Sequence, residues 1–427
     1  MSETHKRYSL IALIIVAILP LFAIIPLPTI NSLETWALYS STITGYIGVV
    51  LLLAMYIIGT RATSRYLFRD TAPVLKIHSW LGKYGSIAIL LHPLLIILGY
   101  SESLLYSIVP QLGTEFERHV TLGRISFFIV CIIWVSSALL RSRMSYRPWK
   151  YIHYLAYISL PFALLHVPDV GSVFMSSAVV RGYYFLLVIV ALIFTCVRIY
   201  SLFNLDRTRY RVIKHIKLMD DTFALVLHSD EPLPHIGRGQ YVYVKLGFVS
   251  EDHPFTVLQH DESSGELTLA YRVFGTFTDS LSRLIKDQTV YIDGPYGSFT
   301  EQAEQSDLPI VFIAGGIGIT PFVDHILRGA NHERWLFYAA PSSKRAIFLE
   351  QLRDELGNRC VALFSQTTEV GAEHGYINSE VIQRHLKSPS KYQYYICGPE
   401  GMMHSSVDAL KELGVPKSQI HQEAFAF

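Results

Sequence analysis

Four histidines, His78, His92, His153 and His166, fall inside stretches apolar enough to cross a bilayer. An ionisable group at that depth is costly and marks a functional site by default. His78 and His92 are fourteen residues apart, His153 and His166 thirteen. At a rise of 1.5 Å per residue, each pair spans about 20 Å along its helix. With both helices running from the inner to the outer face, His78 and His153 share one level, and His92 and His166 the other. Two imidazoles at each of two levels describe two bis-histidine b-type haems stacked across the membrane. A single zinc ion would need its donors to converge at about 2 Å, which this spread forbids. For any one of the four taken alone, a helix-end histidine bonded to a carbonyl explains the residue as well. Helical phase supports the pairs unequally: fourteen residues return to within roughly 40° of the same face, whereas thirteen miss by about 140°. Pro161, between His153 and His166, offers a kink that would restore the phase.

A second set of residues suits nucleotides. His253-Pro254-Phe255-Thr256 follows the alternating strand Tyr241–Leu246. Its ring and hydroxyl could hold a flat heteroaromatic group; a core Phe with a capping Thr is the competing account. Arg272, Gly275, Thr276 and Thr278 place a guanidinium, an open backbone and hydroxyls before a short helix. That combination suits a pyrophosphate, although a helix capped by Thr278 or Asp279 also fits. The turn Ala314-Gly315-Gly316-Ile-Gly318-Ile-Thr320-Pro321 follows the apolar run Ile310–Ala314 and precedes a helix. There, glycines bring backbone amides against a dinucleotide, although the third glycine of the usual fingerprint is missing. Cys397 and Gly398 end a further strand, Tyr394–Cys397. Lys344 and Arg345 follow the strand Trp335–Ala339, where a 2′-phosphate would need positive charge; a solvated basic turn explains them nearly as well.

These residues sit on two kinds of chain. Of the 427 residues 51% are hydrophobic and 17% charged, against roughly 25% charged in an ordinary soluble domain. Six spans are predicted near 9–30, 36–59, 77–99, 122–140, 150–168 and 181–203. Arg61, Arg65, Arg69, Lys76, Arg141, Arg143, Arg147, Lys150, Arg207, Arg209 and Arg211 cluster on one side with Lys6 and Arg7. Glu34, Glu102, Glu115, Glu117 and Asp169 lie on the other, so both termini and the soluble part are expected in the cytoplasm. Beyond about 204, alternating strands such as Leu267–Arg272 give way near 305 to buried strands followed by helices. The expected architecture is a membrane all-α six-helix haem bundle (1–203), a β-barrel domain (204–304) and an α/β parallel-sheet domain (305–427). A net charge of +1 offers no field for nucleic acid. The four cysteines are too scattered for a disulfide framework, an iron–sulfur cluster or a cysteine zinc site.

Together the histidine pairs and the His-Pro-Phe-Thr, Gly-Gly-Ile-Gly-Ile-Thr-Pro and Cys-Gly-Pro motifs resemble the ferric reductase and NADPH oxidase superfamily, in a compact bacterial form. The resemblance implies FAD on the barrel, with His253 and Arg272 at its phosphates, Thr278 at the pyrophosphate and Thr256 near the reactive flavin nitrogen. It implies NADPH cradled by Gly315, Gly316, Gly318 and Thr320, with Cys397 and Gly398 flanking the nicotinamide. A terminal aromatic ring, Phe427 or else Phe425, would cover the flavin; a tail Phe anchored in a core is the competing account. It further implies an integral protein of a bacterial-type cytoplasmic membrane passing electrons to a small acceptor outside. Dioxygen, giving superoxide, is the first choice. A ferric chelate is the close alternative, and a haem-binding sensor without turnover is a rival of another class. No D-x-D-x-D-G loop is present, which puts calcium activation in doubt.

Overall fold

A computed structural model describes residues 3–68, 71–247, 250–300, 303, 308–329 and 333–423. Phe425 and Phe427 lie outside the described residues, as does Arg69. The chain divides into two compact units, Met1–Ile199 and Tyr200–Phe427.

The first unit is helical. Its main helices are α1 (Glu3–Ile24), α2 (Leu33–Ile58), α3 (Pro73–Tyr100), α4 (Glu115–Leu139), α5 (Tyr146–His153), α6 (Ala156–Val170) and α7 (Ala178–Leu202). Among the described residues four of these, α2, α3, α4 and α7, are long and apolar enough to cross a membrane. The six expected spans are therefore not all present as single long helices. The apolar part of α1 is the shorter Tyr8–Ile24, and the fifth expected span is divided between α5 and α6 by the turn at Tyr154–Leu155. Leu91, Leu94, Ile132, Leu186, Ile189 and Leu192 point outward, which is costly in water and natural in hydrocarbon. The interior is filled by Leu21, Val50, Leu53, Leu160, Val180 and Leu187. The start of α4 is fixed by a capping box, the Thr114 hydroxyl accepting from Glu117 N–H and the Glu117 carboxylate accepting from Thr114 N–H.

The second unit begins with a closed six-stranded barrel in the order β1-β2-β5-β4-β3-β6. Its strands are β1 (Thr208–Met219), β2 (Thr222–His228), β3 (Tyr241–Lys245), β4 (His253–Asp261), β5 (Glu266–Arg272) and β6 (Thr289–Tyr296). Alternation places Val212, Leu225, Val242, Val244, Leu267, Leu269 and Ile292 in one core. The short helix α8 (Thr276–Ser282) is capped by Gly275, not by Thr278 or Asp279.

A six-stranded parallel sheet follows, in the order β10-β9-β8-β7-β11-β12. It is built from β7 (Ile310–Gly315), β8 (Arg334–Ala340), β9 (Cys360–Phe364), β10 (Glu373–His374), β11 (Gln393–Cys397) and β12 (Ile420–Glu423). Helices α9 (Thr320–Arg328), α10 (Leu349–Leu356), α11 (Ser379–His385) and α12 (Glu400–Glu412) connect the strands. The central strand β7 is buried along its whole length, as its unbroken apolar run requires when both faces are covered. The glycine turn lies where β7 ends, between β8 and β11, the crevice at which such sheets bind ligands.

Candidate functional site

In the membrane unit, α2 packs along α3 and α4 along α6. The His78 and His153 rings lie with centroids 5.8 Å apart at 68°. His153 also stacks on Trp149, centroids 5.2 Å apart, and its Nδ1 lies 3.3 Å from Ser137 Oγ, which accepts from the Trp149 indole N–H. At the other level, His92 and His166 are within electrostatic reach of each other. Each is anchored by a backbone carbonyl: His92 Nδ1 to Ser41 O at 2.8 Å, and His166 Nδ1 to His119 O at 2.9 Å. A carbonyl only accepts, so Nδ1 carries the proton in both rings and the Nε2 lone pair is left available, the form a metal ligand needs.

A helix carbonyl is normally shielded by the side chain one turn on. Here that position is glycine. Gly45 follows Ser41 by four residues and Gly123 follows His119 by four. A Cβ on Gly45 would meet His92 Cε1 at 2.9 Å, and one on Gly123 would meet His166 Nδ1 at 2.5 Å. His78 repeats the arrangement more loosely: it lies beside the Met55 carbonyl, and a Cβ on Gly59 would stand 3.7 Å from its Cε1. Gly45 and Gly59 are themselves fourteen residues apart, matching His92 and His78 on the antiparallel neighbour.

Helix α6 contains Pro161, and a further irregularity lies directly after His153. Leu155, Tyr157 and Ile158 donate to carbonyls three residues back instead of four. Tightening about five residues from 100° to 120° each adds roughly 100° and removes most of the ~140° phase error.

These observations bear on whether an iron porphyrin fits. Two imidazoles on one metal, each bonded at about 2 Å, have ring centroids roughly 6 Å apart, close to the 5.8 Å between His78 and His153. Arg124, which sequence reasoning passed over, is 7% exposed within α4. Its guanidinium lies over the Tyr106 ring and donates to Thr121 Oγ1, while Nε and Nη2 are buried without a partner. A buried cation with idle donors on the His166 level accepts a carboxylate-bearing group, and haem carries two propionates. The residues fit. Among the described residues no cluster of three or more metal-ligating side chains is present. His119 supplies the carbonyl for His166 and pairs its own ring with Asp169 at 2.8 Å.

In the second unit Arg272 of the barrel and Gly316 and Arg345 of the sheet line one cleft. His253 stacks on Phe277 with centroids 3.9 Å apart, and Phe277 continues the stack to Phe255. Pro254 lies between them on β4, and Thr256 next in line is buried. Thr278 Oγ1 accepts from Phe274 N–H at 2.7 Å and donates to the Gly275 carbonyl, so this hydroxyl shapes the loop while Thr276 opens the helix. Gly316 has φ of 55° with open space where a side chain would be, leaving its backbone accessible. A Cβ on Gly318 would strike the Cys397 carbonyl oxygen at 2.5 Å. The glycine turn therefore seats directly on the Cys397–Gly398 turn, and Gly315 packs against Pro399 and Met402 of the same segment. Thr320 is buried, its hydroxyl donating to Ile317 O. Cys397 is fully buried, and burial holds its thiol well above the ordinary value. It is a protonated core residue beneath the turn.

The cleft is lined by Asp221, Thr222, Arg272, Gly316, Pro341 and Arg345, among others. Arg272 and Arg345 both donate to one carboxylate oxygen of Asp221, a partner the sequence did not reveal. Lys344 is exposed.

Three family models match the chain. One describes a ferric reductase-like transmembrane component over residues 44–164, the second an FAD-binding domain over 208–300, the third an oxidoreductase NAD-binding domain over 312–408. The reductase component of propane 2-monooxygenase from Mycolicibacterium goodii is 27% identical over 206 residues, 44% of this chain and 58% of its own length. One component of the Na+-translocating NADH-quinone reductase from Neisseria meningitidis is 35% identical over 151 residues, 32% of this chain and 37% of its own. The match thus spans only 37% to 58% of these curated relatives. Among solved structures, the Amycolatopsis cytochrome P450 reductase GcoB aligns with TM-score 0.46 and 23% identity, covering 51% of this chain and 69% of that one.

Proposed function

We propose that the chain, which has the domain architecture of the ferric reductase/NADPH oxidase-like superfamily, is a membrane NAD(P)H oxidoreductase that moves electrons from cytoplasmic NADPH across the bilayer. The acceptor is a small molecule on the outer face, dioxygen giving superoxide, with a ferric chelate as the alternative. Each NADPH releases two electrons and a proton, and each dioxygen takes one electron. When bound, FAD and two b-type haems supply the conversion from paired to single electrons and their relay.

The remaining work belongs to the residues. His78 and His153 hold the inner iron, and His92 and His166 the outer one. The Ser41 and His119 carbonyls orient the outer rings, and Arg124 receives a carboxylate. Arg272, Gly275, Thr276 and Thr278 hold the flavin phosphates with His253, while Pro254, Phe255 and Thr256 lie along its ring. The turn Gly315, Gly316, Gly318 and Thr320 takes the nicotinamide dinucleotide, with Cys397 and Gly398 beneath it. Lys344 and Arg345 face its 2′-phosphate, and Phe427 covers the flavin. Six membrane crossings with both termini inside, and domains at 1–203, 204–304 and 305–427, complete the assignment.

The observation that carries this reading is the pair of imidazoles at each of two levels, set with a free Nε2 at the outer level. The test uses purified full-length protein with FAD and NADPH, reducing cytochrome c with and without superoxide dismutase. Suppression by dismutase identifies dioxygen, and insensitivity identifies direct metal reduction. His92→Ala is expected to lose one of two haems by pyridine haemochrome assay; two full haems in that variant would overturn the assignment.

A further inference from the structure

Asp221 sits in the turn between β1 and β2, at the rim of the barrel nearest the glycine turn. Its Oδ2 accepts from Arg272 Nε at 2.8 Å and from the Arg345 guanidinium. Its Oδ1 accepts from Thr222 Oγ1 at 3.0 Å, and its backbone carbonyl from Val273 N–H at 2.8 Å. Burial works to raise its carboxyl, but the bonds from Arg272 and Thr222 and the two guanidinium charges together hold it below the usual range. The carboxylate is thus fixed and ionised.

Arg345 belongs to the loop after β8, where a parallel nucleotide sheet reads the adenosine ribose. The same loop has a second acidic partner: Glu369 accepts from Ser343 N–H at 3.2 Å and from Thr367 Oγ1 at 2.7 Å. Of the groups that would greet a 2′-phosphate, the Arg345 guanidinium and the Ser343 N–H are already answered by carboxylates, the first by one reaching over from the barrel, while Lys344 is exposed. A phosphate must therefore compete for Arg345, whereas a plain ribose has no such need.

We propose that Asp221 sets the selectivity between phosphorylated and unphosphorylated nicotinamide dinucleotides, by competing with the 2′-phosphate for Arg345. This rests on the reading of the cleft as the dinucleotide site, and Asp221 acts as a positioning residue. Removing its charge while keeping its shape, as in Asp221→Asn, leaves Arg345 for the ligand. A phosphate near −1.5 to −2 charge then gains a charge-assisted bidentate partner that a neutral ribose hydroxyl does not exploit.

The test is equilibrium binding by calorimetry to the full-length protein loaded with FAD, with 2′,5′-ADP and 5′-AMP as probes. Asp221→Asn is expected to tighten 2′,5′-ADP about tenfold, ~1.4 kcal/mol, and to leave 5′-AMP within about twofold. The gain should vanish in Asp221→Asn/Arg345→Ala and be absent from Asp221→Glu. Equal tightening of both probes, no tightening of 2′,5′-ADP, or a gain that survives without Arg345 overturns the proposal. Because neither probe carries electrons, failure of transmembrane electron transfer would show in NADPH turnover and leave this result standing.

Discussion

Gly123→Ala adds one methyl group and should cost one haem. The new Cβ would lie 2.5 Å from His166 Nδ1 and 2.7 Å from Cε1. Reaching an ordinary contact of about 3.5–4 Å requires the ring to retreat by roughly 1 Å. That retreat stretches the 2.9 Å bond to the His119 carbonyl beyond hydrogen-bond range. Overpacking of this kind costs about 1–3 kcal/mol, and loss of the partner that orients a metal-bound imidazole typically lowers metal affinity about 10–100-fold. Gly182→Ala is the control, since nothing lies within 4 Å of a Cβ there and Ala is the better helix former by about 1 kcal/mol. The assay is haem per polypeptide by pyridine haemochrome at limiting haem, with a reductive titration. Gly123→Ala should fall from two haems toward one, losing the outer component, while Gly182→Ala keeps both. NADPH-driven reduction of a soluble dye by the flavin half should survive in each. Two haems at unchanged potentials in Gly123→Ala would refute the link between the glycine, the carbonyl and the iron ligand.

Two further outcomes follow from the second unit. Gly318→Ala should abolish NADPH oxidation and lower thermal stability, because its Cβ meets the Cys397 backbone at 2.5 Å and backbone cannot swing aside; an intact NADPH Kd in that variant would contradict the close seating of the two turns. The Asp261 carboxyl is held down at about 2 by bonds from Ser263 and Ser264 in the β4–β5 turn. Its folded value lies below the unfolded one of about 3.9, so the stabilisation is complete above pH ~4 and lost as pH falls through about 2. The melting-temperature gap between wild type and Asp261→Ala should hold steady from about pH 7 to 5 and narrow below about 4; a gap unchanged at about pH 2.5 would exclude this titration as its source.

Much of this arrangement is legible in one sequence, for identifiable reasons. Strands such as Ile310–Gly315 and Gln393–Cys397 announce themselves because a strand covered on both faces must be apolar throughout. The histidines stand out because ionisable groups are rare in apolar spans, and Arg124 could have been found by the same signal. The fifth helix was legible in content but not in form. Its phase is restored by i→i−3 bonds at Leu155, Tyr157 and Ile158, and no residue there compels them as a proline would. Gly45, Gly59 and Gly123 look like ordinary small residues until their neighbours are known, although a glycine spacing that copies the histidine spacing was available to read. Nothing local joins Asp221 to Arg345, 124 positions away; the closed barrel beside the sheet creates that pairing. Cys397, expected to flank the nicotinamide, is buried, since a strand end under a glycine turn is also a core position.

The anchors of the His92 and His166 imidazoles belong to the main chain. Every residue type offers the same carbonyl, so replacing Ser41 or His119 deletes side chains and leaves the acceptor in place. Vulnerability moves instead to Gly45 and Gly123, where the smallest possible enlargement blocks access. The tilt of each ring is consequently tied to the spacing between the helix that carries it and the helix that supplies the carbonyl. Pressure or a bilayer of altered thickness, both of which shift helices without touching composition, would be the natural means of tuning it.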